Sequence, residues 1–173
     1  MKRLLLVNTL PEGNPAAQTV IKELQMQEAD AEIEIVQAYK RNFHPCIGCN
    51  ACWLKTPGRC AIPDGYEDLL RAYLAADAVL FLCGTALNFV DHRMKNLIDR
   101  LLPLVTMNIH FVEGECRHIP RYDKCYRFGL LYGGQADRAY LNHWMERVML
   151  NFAGKSIGAY PITEVQEVIS CIW

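Results

Sequence analysis

Four cysteines fall within fifteen residues in the stretch CIGCNACWLKTPGRC, at Cys46, Cys49, Cys52 and Cys60, half of the chain's eight. Three cysteines at successive three-residue steps can turn toward one centre, and a fourth after the Pro57-Gly58 turn can close a shell around it. Tight runs of this type hold iron–sulfur clusters. Structural zinc more often pairs two separated C-x2-C knuckles, so the spacing favours iron and sulfide over zinc. Two other readings stand beside this one. Free cysteines often serve as small buried hydrophobes, and a dithiol can be redox-active if Lys55, Arg59 or a helix end lowers a thiol pKa.

Three other short stretches carry residues suited to binding. NTLPEGNPA leads from an apolar run into an amphipathic one, so it places free backbone N–H groups, with Thr9 and Asn14, at the positive end of a helix, where an anion such as phosphate is favoured. Glu12 opposes that reading unless it points into solvent, and Pro15 is an ordinary helix starter. CGTALNF leaves an apolar strand through Gly84 and Thr85 and offers Asn88 and Phe89, which could meet the polar edge and the face of a flat heteroaromatic ring. In LLYGGQADR, the pair Gly133-Gly134 permits close backbone approach to a ligand. His44 and His92 fall near these loops, while His110, Cys116, His118 and Cys125 show no tight ligand spacing.

The elements that must position these loops alternate between short apolar runs and amphipathic segments. Strands are expected at 3–7, 32–37, 78–83, 127–132 and 156–160, and helices at 16–28, 66–75 (capped by Asp64), 92–102 (stopped by Pro103) and 138–152. The stretch 104–126 has no clear period, and the last dozen residues give no firm signal. Strands apolar on both faces that alternate with helices imply an α/β fold with a doubly wound parallel sheet. Five strands fit the flavodoxin-like order 2-1-3-4-5, whose ligand crevice lies beyond the carboxyl ends of the strands at the switch point. That order brings the three loops to one rim. The cysteine loop, following the second strand, is expected to open there too.

Length and charge bound the partners. A chain of 173 residues suits one sizeable core, so a single domain over 1–173 is expected, with a cysteine-rich loop at 43–64 and a long lid or interface segment at 103–126. Eighteen basic against nineteen acidic residues give no electrostatic case for nucleic acid or an anionic membrane. No apolar run is long enough to span a bilayer. The apolar part of MKRLLLVNTL is too short for a signal peptide, which points to a cytoplasmic protein whose cysteines serve metal or redox chemistry.

Together, CIGCNACWLKTPGRCAIPD, ADAVLFLCGTALNF, MKNLIDR, HIPRYDK and GLLYGG resemble the flavodoxin-like NAD(P)H-dependent FMN reductases, a family that includes iron–sulfur flavoproteins. The resemblance runs in order along nearly the whole chain. It implies a flavoprotein oxidoreductase in which FMN passes electrons between NAD(P)H, or a small-molecule or protein electron carrier, and an acceptor. It places the FMN phosphate on Thr9, Leu10, Pro11, Asn14 and Pro15. Ribityl chain and ring fall on Gly84, Thr85, Ala86, Leu87, Asn88 and Phe89, and on Gly133, Gly134 and Gln135. It further implies a homo-oligomer and a 4Fe-4S cluster on Cys46, Cys49, Cys52 and Cys60, with no catalytic acid or base. Members typically read Ser-Pro-Arg and Asn-Thr in the first loop, where this chain has Leu10-Pro11-Glu12 and Asn14-Pro15. A charge-assisted contact is worth about 1.5–3 kcal/mol. Its loss motivates two alternatives: a flavin-deficient binding or assembly module, and a thiol-based redox protein working through the cysteine loop.

Overall fold

The computed structural model describes residues 1–173. In chain order its elements are β1 (Lys2–Asn8), α1 (Pro15–Gln27), β2 (Ala31–Gln37), the single-turn α2 (Ala51–Leu54), α3 (Tyr66–Ala75), β3 (Ala78–Ala86) and β4 (Phe89–Val90). There follow α4 (His92–Asp99), β5 (Val105–Val112), β6 (Glu115–Pro120), β7 (Arg127–Gly133), α5 (Arg138–Asn151), β8 (Lys155–Pro161) and α6 (Val165–Cys171). Five strands pair in parallel in the order β2-β1-β3-β7-β8, the flavodoxin-like order expected from the sequence.

Burial explains the sheet. Every residue from Ala78 to Cys83 in β3 is at most 1% exposed, as a central strand covered on both faces must be. Val79, Phe81 and Cys83 pack under α3, α4 and α5, whereas Ala78, Leu80 and Leu82 pack under α1 and α6. Each fully buried leucine, valine or phenylalanine contributes about 1.5–3 kcal/mol of transfer free energy. The strand's side chains alternate faces, so this one apolar run nails both helical layers to the sheet.

Two hairpins depart from the expected layout. Residues 104–126 contain the antiparallel pair β5–β6, which turns through Glu113 and Gly114, both at positive φ (52° and 81°). A register shift between Val105 and Ile109 breaks the alternation, which is why no period is visible in the sequence. The second hairpin joins β3 to β4 through Leu87 and Asn88, again both at positive φ (52° and 60°). Neither turn carries the Asn-Gly or Gly-Gly signal that would have announced it. The helix expected over 92–102 ends at Asp99, and Pro103 sits in a 3-10 turn at Leu102–Leu104. The unassigned C-terminus forms α6, which completes the layer over α1.

Three helices begin at the carboxyl ends of the strands, each with an Asx cap. Asn14, Asp91 and Asp137 accept hydrogen bonds from the N–H groups of Ala17, Met94 and Tyr140, at 3.1, 2.9 and 3.0 Å. The starts of α1, α4 and α5 are thereby fixed along one rim.

Candidate functional site

The rim loops are stitched to one another by main-chain bonds. Thr9 donates both its N–H and its hydroxyl to the Leu82 carbonyl, at 2.8 and 3.1 Å. Asp91 N–H donates to the Gly84 carbonyl (3.0 Å), and the Thr85 hydroxyl donates to the Gly133 carbonyl (3.3 Å). Gly134 adopts φ +109°, and a Cβ there would collide with the Thr85 hydroxyl. The Gly-Gly pair thus brings the loop after β7 against the loop after β3.

The loop after β1 keeps only part of the donor set its sequence suggested. Thr9 is buried and its hydroxyl donates to the Leu82 carbonyl. The Leu10 N–H is taken by Asn8 Oδ1 (3.0 Å), and Pro11 and Pro15 have no N–H. Asn14 uses its carbonyl oxygen as the helix cap and keeps its amide nitrogen free. What remains is the backbone: the N–H groups of Glu12, Gly13 and Ala16 have no protein acceptor. They lie at the start of α1, whose first turn contains no acidic residue, beside a cavity of about 260 Å³. Glu12 turns away from repelling an anion, because its carboxylate pairs with Lys40 at 2.8 Å and raises the pKa of that ammonium. Free amides at a helix start fit a phosphate.

Above the sheet, Leu87 is fully exposed at the tip of the β3–β4 hairpin. Holding a leucine in the left-handed region with no core contact costs of order 1 kcal/mol. Phe89, expected to cover a flat ring, instead packs edge-on against Trp144 (4.8 Å between centroids) and near Tyr140 (5.6 Å) of α5. Leu87, Asn88 and Gln135 are the residues of these loops that stay exposed at the rim, along with Ala86 and Gly134.

The segment after β2 divides in two. Its first part, from Ala38 to Pro45, stays at the rim and lines a cavity of about 440 Å³ together with Thr9 and the first turns of α4. Beyond Pro45 the chain leaves the rim, contrary to expectation. Cys46 and Gly48 line a second cavity of about 490 Å³ with Ile98, Asp99, Val148 and Phe152, at the far ends of α4 and α5. Trp53 anchors this part by donating to the Leu102 carbonyl (3.0 Å) and by packing on His118 (5.2 Å). A side chain at Gly58 would strike the Tyr122 hydroxyl, so the Pro-Gly turn seats the loop against the 103–126 segment.

The four cysteines of this loop do not converge as the spacing suggested. No three Cys, His, Asp or Glu side chains gather at metal-binding spacing, and Cys46 and Cys49 face solvent. Cys52 sits in the short helix α2, and Cys60 accepts a hydrogen bond from Arg100 Nη2 at its sulfur (3.2 Å). Number and sequence order suit a cluster, but the side chains form no single-ion metal site. Burial, followed by the charges that Cys60, Cys46 and Cys49 would carry as thiolates, pushes the Cys52 thiol up.

Arg100 is the centre of this region; it closes the MKNLIDR stretch, as Asp64 closes the cysteine stretch, but nothing in either predicts that the two pair. Its side chain is 1% exposed, pairs with Asp64, donates to the His44 carbonyl (3.1 Å) and lies 4.2 Å over the Tyr66 ring. Asp64 in turn accepts from the N–H groups of His44 (2.9 Å) and Tyr66 (3.2 Å), so it caps α3 from one residue before Gly65. Burial opposes ionisation of Asp64, but the Arg100 guanidinium and those two N–H groups outweigh it and hold the carboxyl below its usual range.

A sheet of order 2-1-3-4-5 with its loops joined along the carboxyl rim defines the flavodoxin-like class of α/β proteins. No family model matches the chain. It is similar to an NAD(P)H:quinone oxidoreductase from Methanothermobacter marburgensis (TM-score 0.65, 13% identity, 98% of this chain and 95% of that one). It is also similar to an FMN-dependent NADH-azoreductase from Bacillus anthracis in complex with FMN (TM-score 0.54, 12% identity, 99% and 94%). The fold is therefore one that flavin reductases share. In sequence it is similar to an iron–sulfur flavoprotein of Methanocaldococcus jannaschii, 31% identical over 96 residues, which cover 54% of this chain and 48% of that protein. The matched part spans about half the length of that curated relative.

Proposed function

We propose that this chain is an FMN-dependent oxidoreductase that moves electrons between NAD(P)H, or a small electron carrier, and an acceptor. One observation carries the reading: three loops are joined along one rim, and the unpaired N–H groups of Glu12, Gly13 and Ala16 lie at the positive end of α1. FMN, when bound, would supply the hydride and electron transfer. The chain's own part is binding and shaping. Those three amides would hold the phosphate, Lys40 would keep the Glu12 carboxylate away from it, and Gly133-Gly134 would let main chain approach the ring. Leu87 would present an apolar surface that excludes water.

The test is titration of the purified protein with FMN, followed by flavin fluorescence, then NADPH oxidation with a quinone acceptor. Quenching with saturation supports the proposal. Unquenched FMN with Glu12→Arg/Pro15→Thr as well as with wild type overturns it and favours a binding module.

A narrower reading adds an iron–sulfur cluster on Cys46, Cys49, Cys52 and Cys60. The similar iron–sulfur flavoprotein favours it, and the arrangement of the thiols does not. Iron and sulfide retained after anaerobic reconstitution, and lost in Cys49→Ser, would carry it; no retention by wild type would end it. The exposed apolar side chains Met107, Ile109 and Phe111 on the β5–β6 hairpin favour a homo-oligomer, which light scattering would detect. Eight free cysteines favour a reducing, cytoplasmic setting.

A further inference from the structure

The 440 Å³ rim cavity beside Thr9 is lined by Lys40, Arg41, His44, His92 and Arg93, and by no carboxylate. Lys40 is paired with Glu12, so the uncompensated charge in this wall is that of Arg41 and Arg93, in a chain whose charges otherwise nearly cancel. Its two arginines are also unlike every other arginine in the chain. Arg3, Arg59, Arg71, Arg138 and Arg147 donate to carboxylates, as do Arg100 and Arg117. Arg121 and Arg127 donate to carbonyls. Arg41 and Arg93 alone have neither hydrogen bond nor ion pair, and both line this one cavity.

The start of α4 adds to the case. His92 and Arg93 occupy its first turn, which holds no acidic residue. The Arg93 guanidinium at the positive end of a helix opposes the dipole, an arrangement that an anion beside it would reverse. Asp91 caps the helix through Met94 N–H but does not line the cavity. Across from α4, the His44 main chain is clamped on both sides, its N–H by Asp64 and its carbonyl by Arg100. That wall is set in place before any ligand arrives, and guanidinium forks match phosphate oxygens in pairs.

We infer that this cavity binds a nucleotide phosphate dianion, with Arg41 and Arg93 as its ligands, and that it selects NADPH over NADH through the 2′-phosphate. The inference deepens the proposed reductase function and rests on it for the identity of the donor. This cavity adjoins the one beside the α1 amides through Tyr39, but Arg41 and Arg93 line only this one, so the two phosphates are assigned to different ligands.

The test is calorimetric titration of the full chain with adenosine 2′,5′-bisphosphate and with 5′-AMP, alongside FMN titration. Wild type is expected to bind the bisphosphate about tenfold or more tighter than 5′-AMP, and Arg41→Ala/Arg93→Ala is expected to erase that difference while FMN affinity holds. In turnover, the double variant should raise KM for NADPH with kcat and the NADH parameters unchanged. Equal binding of the two nucleotides by wild type, or preference retained by the variant, overturns the inference. Should the double variant not fold, the salt dependence of wild type decides: bisphosphate affinity must fall steeply with added sodium chloride, and a flat response refutes the site. Failure to bind FMN would sink the reductase reading and leave the bisphosphate result standing on its own.

Discussion

The two ends of α4 face two cavities of similar size and opposite character. At its start, about 440 Å³ is walled by cationic and amide side chains beside the joined rim loops; at its end, about 490 Å³ is walled mainly by apolar ones beside the cysteine loop. The segment after β2 serves both, changing from one to the other between Pro45 and Cys46. What separates them is the Arg100–Asp64 pair, which grips His44 on the rim side and Cys60 on the other. A single buried ion pair thus decides where the rim stops and the cysteine loop begins. Spacing motifs report which residues are close in sequence, but an arginine from a second stretch far along the chain sets which of them share a site.

Breaking that divider should give the largest effect. Arg100→Leu leaves Asp64 buried without its cation and the Cys60 and His44 acceptors without their donor. A loss of about 3–5 kcal/mol is expected in urea unfolding. A loss below about 1 kcal/mol would mean that the two ends are held independently. The same pair makes stability depend on acid. The Asp64 carboxyl is depressed in the folded state, so its contribution is full above the ordinary value of 3.8 and is lost as pH falls below it toward the folded-state value. Asp64→Asn should therefore flatten the acid limb of an unfolding-midpoint profile, and an unchanged limb would contradict the assignment.

The rim alone is probed by Gly134→Ala. The residue would be forced to hold φ +109° and to break the Thr85–Gly133 hydrogen bond, at a cost of about 1–3 kcal/mol. FMN affinity should fall with it while iodoacetamide labelling of Cys46 and Cys49 stays as in wild type. The far end alone is probed by Trp53→Phe, which removes the donor to Leu102 for about 0.5–1.5 kcal/mol. Here labelling should speed up and FMN affinity should hold; the reverse pattern would merge the two regions. The smallest effect is expected for Glu12→Gln, which frees Lys40 and removes one negative charge from the phosphate loop. FMN should bind a few-fold more tightly at low salt, and the gain should shrink as salt rises. Weaker binding would show that the Glu12–Lys40 pair organises the loop.

Much of this layout was legible from the residues. The run Ala78–Cys83 reads as a central strand because burial on both faces leaves no polar positions, and strand-helix alternation then leaves few topologies. The carboxyl rim and its three loops follow from that order. The β3–β4 and β5–β6 hairpins were not legible, since Leu87-Asn88 and Glu113-Gly114 are weak turn signals and a bulge hides the strand period. At the site, the residues named for their side chains proved occupied: Thr9 with Leu82, the Asn14 oxygen with Ala17, Phe89 with Trp144. The available donors are the loop's backbone amides, which a strand-to-helix turn announces as a group; which of them stay unpaired is not written in the sequence.

What the sequence determined by itself is the sheet, its order and the rim at which its loops meet, because hydrophobic periodicity acts over a few neighbouring residues and is written locally. What only the tertiary structure decided is partnership. Arg41 and Arg93 stand without carboxylates while Arg100 is spent on Asp64 and Cys60, and Cys46 leaves the rim on which its neighbour Pro45 remains. Those outcomes depend on residues fifty or so positions apart meeting across packed layers, and charge and hydrogen-bond satisfaction is settled only where they meet.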